Sequence, residues 1–191
     1  RGGDSLFLFV RTYIDPLAEN SPVLIEDNIA FGVNGKTQQI TLQAYGQNVE
    51  KIQGDSGLMV YQHLKLTNQK PYLIYDTVAV AGNLTIEAGT TIYMHAGAGI
   101  YVYGSMTANG TQDNPIIVRG DRTDRLFDSV PYRMASGQWD GIYLLHAKGM
   151  MPPMYQLNYV DILSGSVGLY VYSEATGNIR KLRQYLSSKC F

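Results

Sequence analysis

Leu84-Thr85-Ile86, Thr91-Ile92-Tyr93-Met94 and Ile100-Tyr101-Val102-Tyr103 are three short apolar, β-branched and aromatic runs, spaced seven to nine residues apart. Ala88-Gly89-Thr90 and Gly97-Ala98-Gly99 separate them, and glycine takes left-handed corners without strain. Comparable runs follow at Pro115-Ile116-Ile117-Val118, Gly141-Ile142-Tyr143-Leu144-Leu145, Leu157-Asn158-Tyr159-Val160-Asp161-Ile162-Leu163 and Gly168-Leu169-Tyr170-Val171-Tyr172. None is long enough for a globular helix. Many short strands punctuated by turns mean a β-sandwich or a solenoid whose coils stack strand on strand. The spacing favours the solenoid, with three strands to each triangular coil. We therefore expect an all-β chain built on a right-handed parallel β-helix. Strand alternation sends Leu84, Ile86, Ile92, Met94, Ile100 and Val102 inward and leaves Tyr101 and Tyr103 outside. The polar stretch from Arg119 to Gln138 interrupts the series and is expected to project as a loop. Trp139 would anchor its return.

Working outward, the chain divides into three stretches. Residues 1–49 read as part of a small β-sandwich: Leu6-Phe7-Leu8-Phe9-Val10 leads to Asp15-Pro16, and Asn34-Gly35 joins Ile29-Ala30-Phe31 to Gln39–Tyr45. Asn-Gly between two strand runs signals a hairpin, because both residues tolerate positive φ. Residues 50–75 are less regular, carry Gln53-Gly54-Asp55-Ser56-Gly57, and read as a linker and the start of the helix. Residues 76–191 hold the coils. A sandwich needs about seven strands, and three or four fit before Gln53, so further strands upstream or from a partner are expected. The tail Tyr185-Leu186-Ser187-Ser188-Lys189-Cys190-Phe191 does not resemble the modified cap that ends a solenoid, so further coils are expected too.

Composition narrows the function. A net charge of −1 provides no global field for nucleic acid or an anionic membrane, and the basic run Arg180-Lys181-Leu182-Arg183 is short. No apolar stretch approaches the ~20 residues of a membrane-spanning helix. The single Cys190 cannot form an internal disulfide, so cysteine usage leaves the compartment open.

Several motifs occur in one order: Lys70-Pro71-Tyr72-Leu73-Ile74-Tyr75-Asp76, Leu84–Thr90, Gly104–Thr111, Asn114-Pro115-Ile116, Arg119-Gly120-Asp121-Arg122, Pro131-Tyr132 and Gly137-Gln138-Trp139-Asp140-Gly141-Ile142. Together they resemble the β-helix proteins of the Bacteroidetes cell envelope, many of them surface lipoproteins. The resemblance runs over roughly residues 6–172. It implies a pectate-lyase-like solenoid, a preceding immunoglobulin-like module ending near Val49, and a place at the outer-membrane surface or in the periplasm. Any membrane attachment would come from a lipid anchor outside this chain. After about Glu174 the pattern departs from the family.

Candidate chemistry falls into two groups. Arg119 to Asp128 interleaves three Arg with Asp121, Asp124 and Asp128. Carboxylates of this kind serve as acid and base in glycosidases, or as oxygen ligands for calcium. Interleaved opposite charges more commonly neutralise one another, the spacing does not match an EF-hand loop, and no catalytic residue is assigned. His63, His95 and His146 are too far apart for a zinc motif, so no cofactor is expected, with calcium as the one ion the loop would suit. The second group is the tyrosines. Tyr101, Tyr103, Tyr143, Tyr170 and Tyr172, with Tyr159, lie in strands. Aromatics on an outer face either stack to hold coils together or offer area and a polar tip to a sugar or protein.

Short glycosylation patterns complete the inventory. Asp4-Ser5-Leu6, Asp76-Thr77-Val78 and Asp128-Ser129-Val130 match a bacterial O-glycosylation pattern. Asn83-Leu84-Thr85 and Asn109-Gly110-Thr111 match the eukaryotic N-glycosylation sequon, which a bacterial setting would not use. The sequence thus points to a non-catalytic surface platform for a glycan or another envelope protein. A carbohydrate-active enzyme with its site in further coils is the alternative, and a structural stalk the third.

Overall fold

In a computed structural model, the described residues are 7–14, 22–127, 130–149 and 151–185. Asp128, Asp4-Ser5-Leu6, Asp15-Pro16, Ser129 and the tail from Leu186 through Cys190 to Phe191 lie outside them. The chain divides into two compact units, residues 1–48 and 49–191.

The first unit contains β1 (Val23–Val33) and β2 (Lys36–Gly46), paired antiparallel along their whole lengths. Asn34 and Gly35 both have positive φ, as a two-residue hairpin turn needs. Period-two alternation sorts the hairpin into two faces. One carries cross-strand polar pairs, Thr41 Oγ1 donating to Asn28 Oδ1 at 2.8 Å and Gln43 Nε2 to Glu26 Oε1 at 2.5 Å. The other presents Ile25, Ile29, Phe31, Val33, Ile40 and Leu42, and Val10 and Tyr13 line a groove with Ile25, Leu42 and Ala44. Among the described residues, the sandwich expected from the sequence is represented by this single hairpin.

The second unit is a parallel β-solenoid. Its first turn holds β3 (Glu50–Ile52) and β4 (Leu58–Leu66), so residues 50–75, read above as a linker and start, are themselves coil. The next turn holds β5 (Tyr72–Ile74) and β6 (Thr77–Ile86), followed by β7 (Thr91–Met94), β8 (Ile100–Val102) and β9 (Ser105–Asn109). Then come β10 (Ile116–Gly120), the small hairpin of β11 (Arg125–Phe127) and β12 (Val130–Pro131), and β13 (Ile142–Leu144). Last are β14 (Met154–Leu163), β15 (Leu169–Val171) and β16 (Thr176–Tyr185).

Parallel pairing groups these strands into three faces. Face A stacks β3, β5, β7, β10 and the second halves of β14 and β16. Face B stacks the first halves of β4 and β6 under β8, β13 and β15. Face C stacks the second halves of β4 and β6 with β9 and the first halves of β14 and β16. Each face-A layer is one turn, six in all. Inward positions form continuous columns, such as Val78–Ile100–Ile142–Leu169 on face B. Leu84, Ile86, Ile92, Met94, Ile100 and Val102 are all buried, as their alternation requires.

Corners are made in several ways, and Gly89 and Gly97 take the left-handed turns expected of them from the sequence. Gly82 and Gly104 stack between faces B and C, where a Cβ on Gly104 would lie 2.2 Å from the Gly82 carbonyl oxygen. Tyr159 and Lys181 instead turn from face C to face A as single left-handed residues within β14 and β16. The expected loop runs between β10 and β13. Its return is fixed by Trp139, which is buried and donates through Nε1 to the Leu163 carbonyl at 2.9 Å. Among the described residues, no helix is long and apolar enough to cross a membrane.

Candidate functional site

The outer side of face B repeats one local pattern in three successive turns: Ile100-Tyr101-Val102, Ile142-Tyr143-Leu144 and Leu169-Tyr170-Val171. The apolar residues of each triplet point inward and hold the strand in register, so the tyrosine between them must point out. Tyr101, Tyr143 and Tyr170 are direct partners in the parallel ladder. The Tyr101 and Tyr143 rings stack with centroids 4.7 Å apart and planes 9° from parallel, while Tyr143 and Tyr170 lie 6.0 Å apart at 41°. The first spacing equals the distance between paired strands. Below Tyr101 the column continues as Ala79 and Val60, so the aromatic surface ends there.

Asp140 ties the stack to the returning loop. Its Oδ2 accepts the Tyr101 hydroxyl and its Oδ1 accepts the Tyr143 hydroxyl at 2.8 Å. Gly99 makes room: a Cβ there would sit 3.0 Å from the Tyr101 ring and 3.1 Å from Asp140 Oδ2. Burial pushes the Tyr143 phenol up to about 12, assisted by its bond to the Asp140 carboxylate. The Tyr101 phenol is raised further, again chiefly by burial and then by Asp140. Both hydroxyls therefore stay protonated and serve as fixed donors to one carboxylate. A carboxylate has about four lone-pair sites, so Asp140 retains acceptor capacity for a ligand hydroxyl. Tyr170 is the most open of the three stacked tyrosines, at 37% exposure.

Tyr103 and Tyr172 follow at the corner between faces B and C. Their backbone amides donate to Val80 and Leu144, and Leu145 takes the position between them. They therefore do not continue the stack. Tyr172 instead meets the His146 ring at 5.2 Å, and His146 Nδ1 approaches Glu174 Oε2 at 3.9 Å. Tyr159 sits at the opposite corner, away from face B, as a left-handed turn residue.

Of the carboxylates in the Arg119–Asp128 stretch, Asp128 lies outside the described residues and the other two go to separate partners. Asp121 Oδ2 lies 2.5 Å from His95 Nδ1, and the Tyr75 ring meets that of His95 at 4.6 Å between centroids. Asp124 takes Arg122 in a two-point pair at 3.0 and 2.5 Å, and this guanidinium holds its carboxyl below the usual range. Arg122 also lies over the Tyr132 ring at 3.4 Å, and Arg119 over Tyr93 at 4.5 Å. Among the described residues, no three His, Cys, Asp or Glu side chains gather into a metal-holding group.

Face C is polar. Its central column reads Lys65–Thr85–Thr107–Gln156–Asn178, with Lys65 paired to Glu87 at 2.7 Å. Sequence reasoning passed over Asp140 and the His95–Asp121 pair. Asp140 had a signal, since it stands directly before the Gly-Ile-Tyr that restarts the strand series. His95 and Asp121 are 26 residues apart and become neighbours only through coil register.

No family profile matches the chain, and no solved structure matches it. Among curated proteins, Protein bark beetle of Drosophila melanogaster is similar, at 32% identity over 125 residues. The match covers 60% of this chain and 4% of that protein, so this chain spans a small fraction of its relative's length.

Proposed function

We propose that the solenoid is a non-catalytic binding platform on a cell surface or envelope, and that it receives a glycan along face B. The observation behind this reading is the Tyr101–Tyr143–Tyr170 stack pinned by Asp140. Aromatic rings supply apolar area with a polar tip, and a carboxylate beside them accepts sugar hydroxyls. The side chains are locked by coil register and by one another, so little conformational entropy is lost on binding. Sugar rings would lie against Tyr170 and the outer edges of the stack, with hydroxyls reaching Asp140. A surface location, with membrane attachment through a lipid anchor outside these residues, follows the resemblance to envelope β-helices. In the same family the hairpin would correspond to the closing strands of an immunoglobulin-like module. Another envelope protein is the alternative occupant of face B.

One observation favours a second, enzymatic reading. His95 and Asp121 form a close pair at the corner of face A, and such pairs move protons in hydrolases. A carbohydrate-active enzyme would use them against a glycosidic bond. A glycan array combined with polysaccharide digestion, run with and without calcium, separates the two. Binding without new reducing or unsaturated ends, lost in Tyr170→Ala, supports the platform. Depolymerisation abolished by His95→Ala would replace it with the enzyme.

A further inference from the structure

We infer that Asn83 and Asn109 are N-glycosylation sites, so that the chain carries two glycans, both on face C. This rests on the surface location proposed above, taken in a eukaryotic secretory setting such as that of the similar Drosophila protein rather than in a bacterial envelope, where the motif is not used. Each residue opens an Asn-X-Thr motif with Leu84 or Gly110 in the middle, and neither is proline. The fold puts both asparagines outside. Asn83 begins the face-C half of β6, exposed, while Leu84 beside it is buried. Asn109 ends β9, exposed, while Gly110 after it turns inward.

Side-chain contacts favour the same outcome. Asn83 Oδ1 accepts the Ser105 hydroxyl at 3.1 Å, and Asn109 Oδ1 accepts Asn158 Nδ2 at 2.6 Å. In each planar amide the oxygen is engaged by the neighbouring coil, which turns Nδ2 away from that neighbour. Nδ2 is the atom that forms the bond to sugar. It attacks the anomeric carbon of a polyprenyl-diphosphate-linked oligosaccharide, and a C–N bond forms as the C–O bond to diphosphate breaks. The lipid diphosphate leaves with the electron pair, and one amide proton passes to a base on the transferase.

The two positions flank the Thr85–Thr107 column, Asn83 at the start of the face and Asn109 at its end. Faces A and B contain no such motif. Glycans here would sheathe face C and leave the tyrosines of face B open.

The test secretes the whole chain from insect cells and compares its intact mass before and after peptide-N-glycosidase. Two glycans are expected, one fewer in Asn83→Gln and in Asn109→Gln, and none in the double variant. Thr85→Val and Thr111→Val provide the same losses without altering either asparagine, should a Gln variant fail to fold. A secreted chain with neither site modified overturns the inference and leaves the surface reading standing; a single glycan overturns it for the other asparagine. Peptides from the natural source, digested in heavy-oxygen water, should show labelled aspartate at 83 and 109. Unlabelled asparagine there, with modification in insect cells, would overturn the inference for the natural protein and leave an envelope location standing.

Discussion

Faces B and C are built on the same coils and share the same kind of interior, yet they present opposite chemistry. On face B the outward column is Val60–Ala79–Tyr101–Tyr143–Tyr170, apolar and then aromatic, with one carboxylate at its side. On face C it is Lys65–Thr85–Thr107–Gln156–Asn178, polar throughout. The inward columns behind both are apolar and, in the middle turns, almost fully buried. Inward residues therefore specify the solenoid, and outward residues are free to specify what each face does. Substitutions on the two sides of the same strand should separate stability from binding.

The largest effect is expected from the interior. Ile142 is fully buried between Ile100 and Leu169, and Ile142→Ala should cost about 2–5 kcal/mol, read as a lower urea midpoint. Both faces should suffer together. Tyr143→Ala comes next, because it removes the ring between Tyr101 and Tyr170 and one partner of Asp140. Lost stacking with both neighbours puts the cost at about 1–3 kcal/mol, and glycan retention on face B should disappear. Tyr170→Ala should weaken retention about tenfold, which corresponds to ~1.4 kcal/mol, while stability moves by less than about 1 kcal/mol for an open ring.

Face C supplies the contrast. Gln156 is exposed and makes no part of the aromatic stack, so Gln156→Ala should stay within about 0.5 kcal/mol and leave retention unchanged. A loss of binding there would break the comparison. The finest effect is in pH. The Tyr143 phenol is raised from 10.0 to about 12, so the folded state favours its neutral form. That contribution is fully present below pH 10 and is lost as pH rises through about 12. Unfolding midpoints should therefore fall over that window in the wild type. They should fall less in Tyr143→Phe, which keeps the ring and removes the titrating hydroxyl.

Much of the interior was legible because alternation is a local property. Leu84/Ile86, Ile92/Met94 and Ile100/Val102 declare their inward side within three residues, and the glycines between them declare the corners. Residues 50–75 were harder, since β3 and β5 are three residues each and a strand that short has little periodicity to show. The corners at Tyr159 and Lys181 were invisible, because neither residue type signals a left-handed turn. For the site, the outward tyrosines could be named, but not which of them meet. Tyr101 and Tyr143 are separated by the loop of residues 121–141, whose length hides the register that stacks them. Tyr103 and Tyr172 look equivalent to them in sequence, and Leu145 between them shows in space that they are not.

The most direct test of the platform is affinity electrophoresis of the folded chain through gels cast with β-glucan, mannan or soluble chitin. Wild type, Tyr170→Ala and Gln156→Ala would run side by side. The account predicts that at least one polysaccharide retards the wild type and Gln156→Ala equally and retards Tyr170→Ala far less. Equal retardation of all three proteins, or retardation lost only in Gln156→Ala, would contradict it.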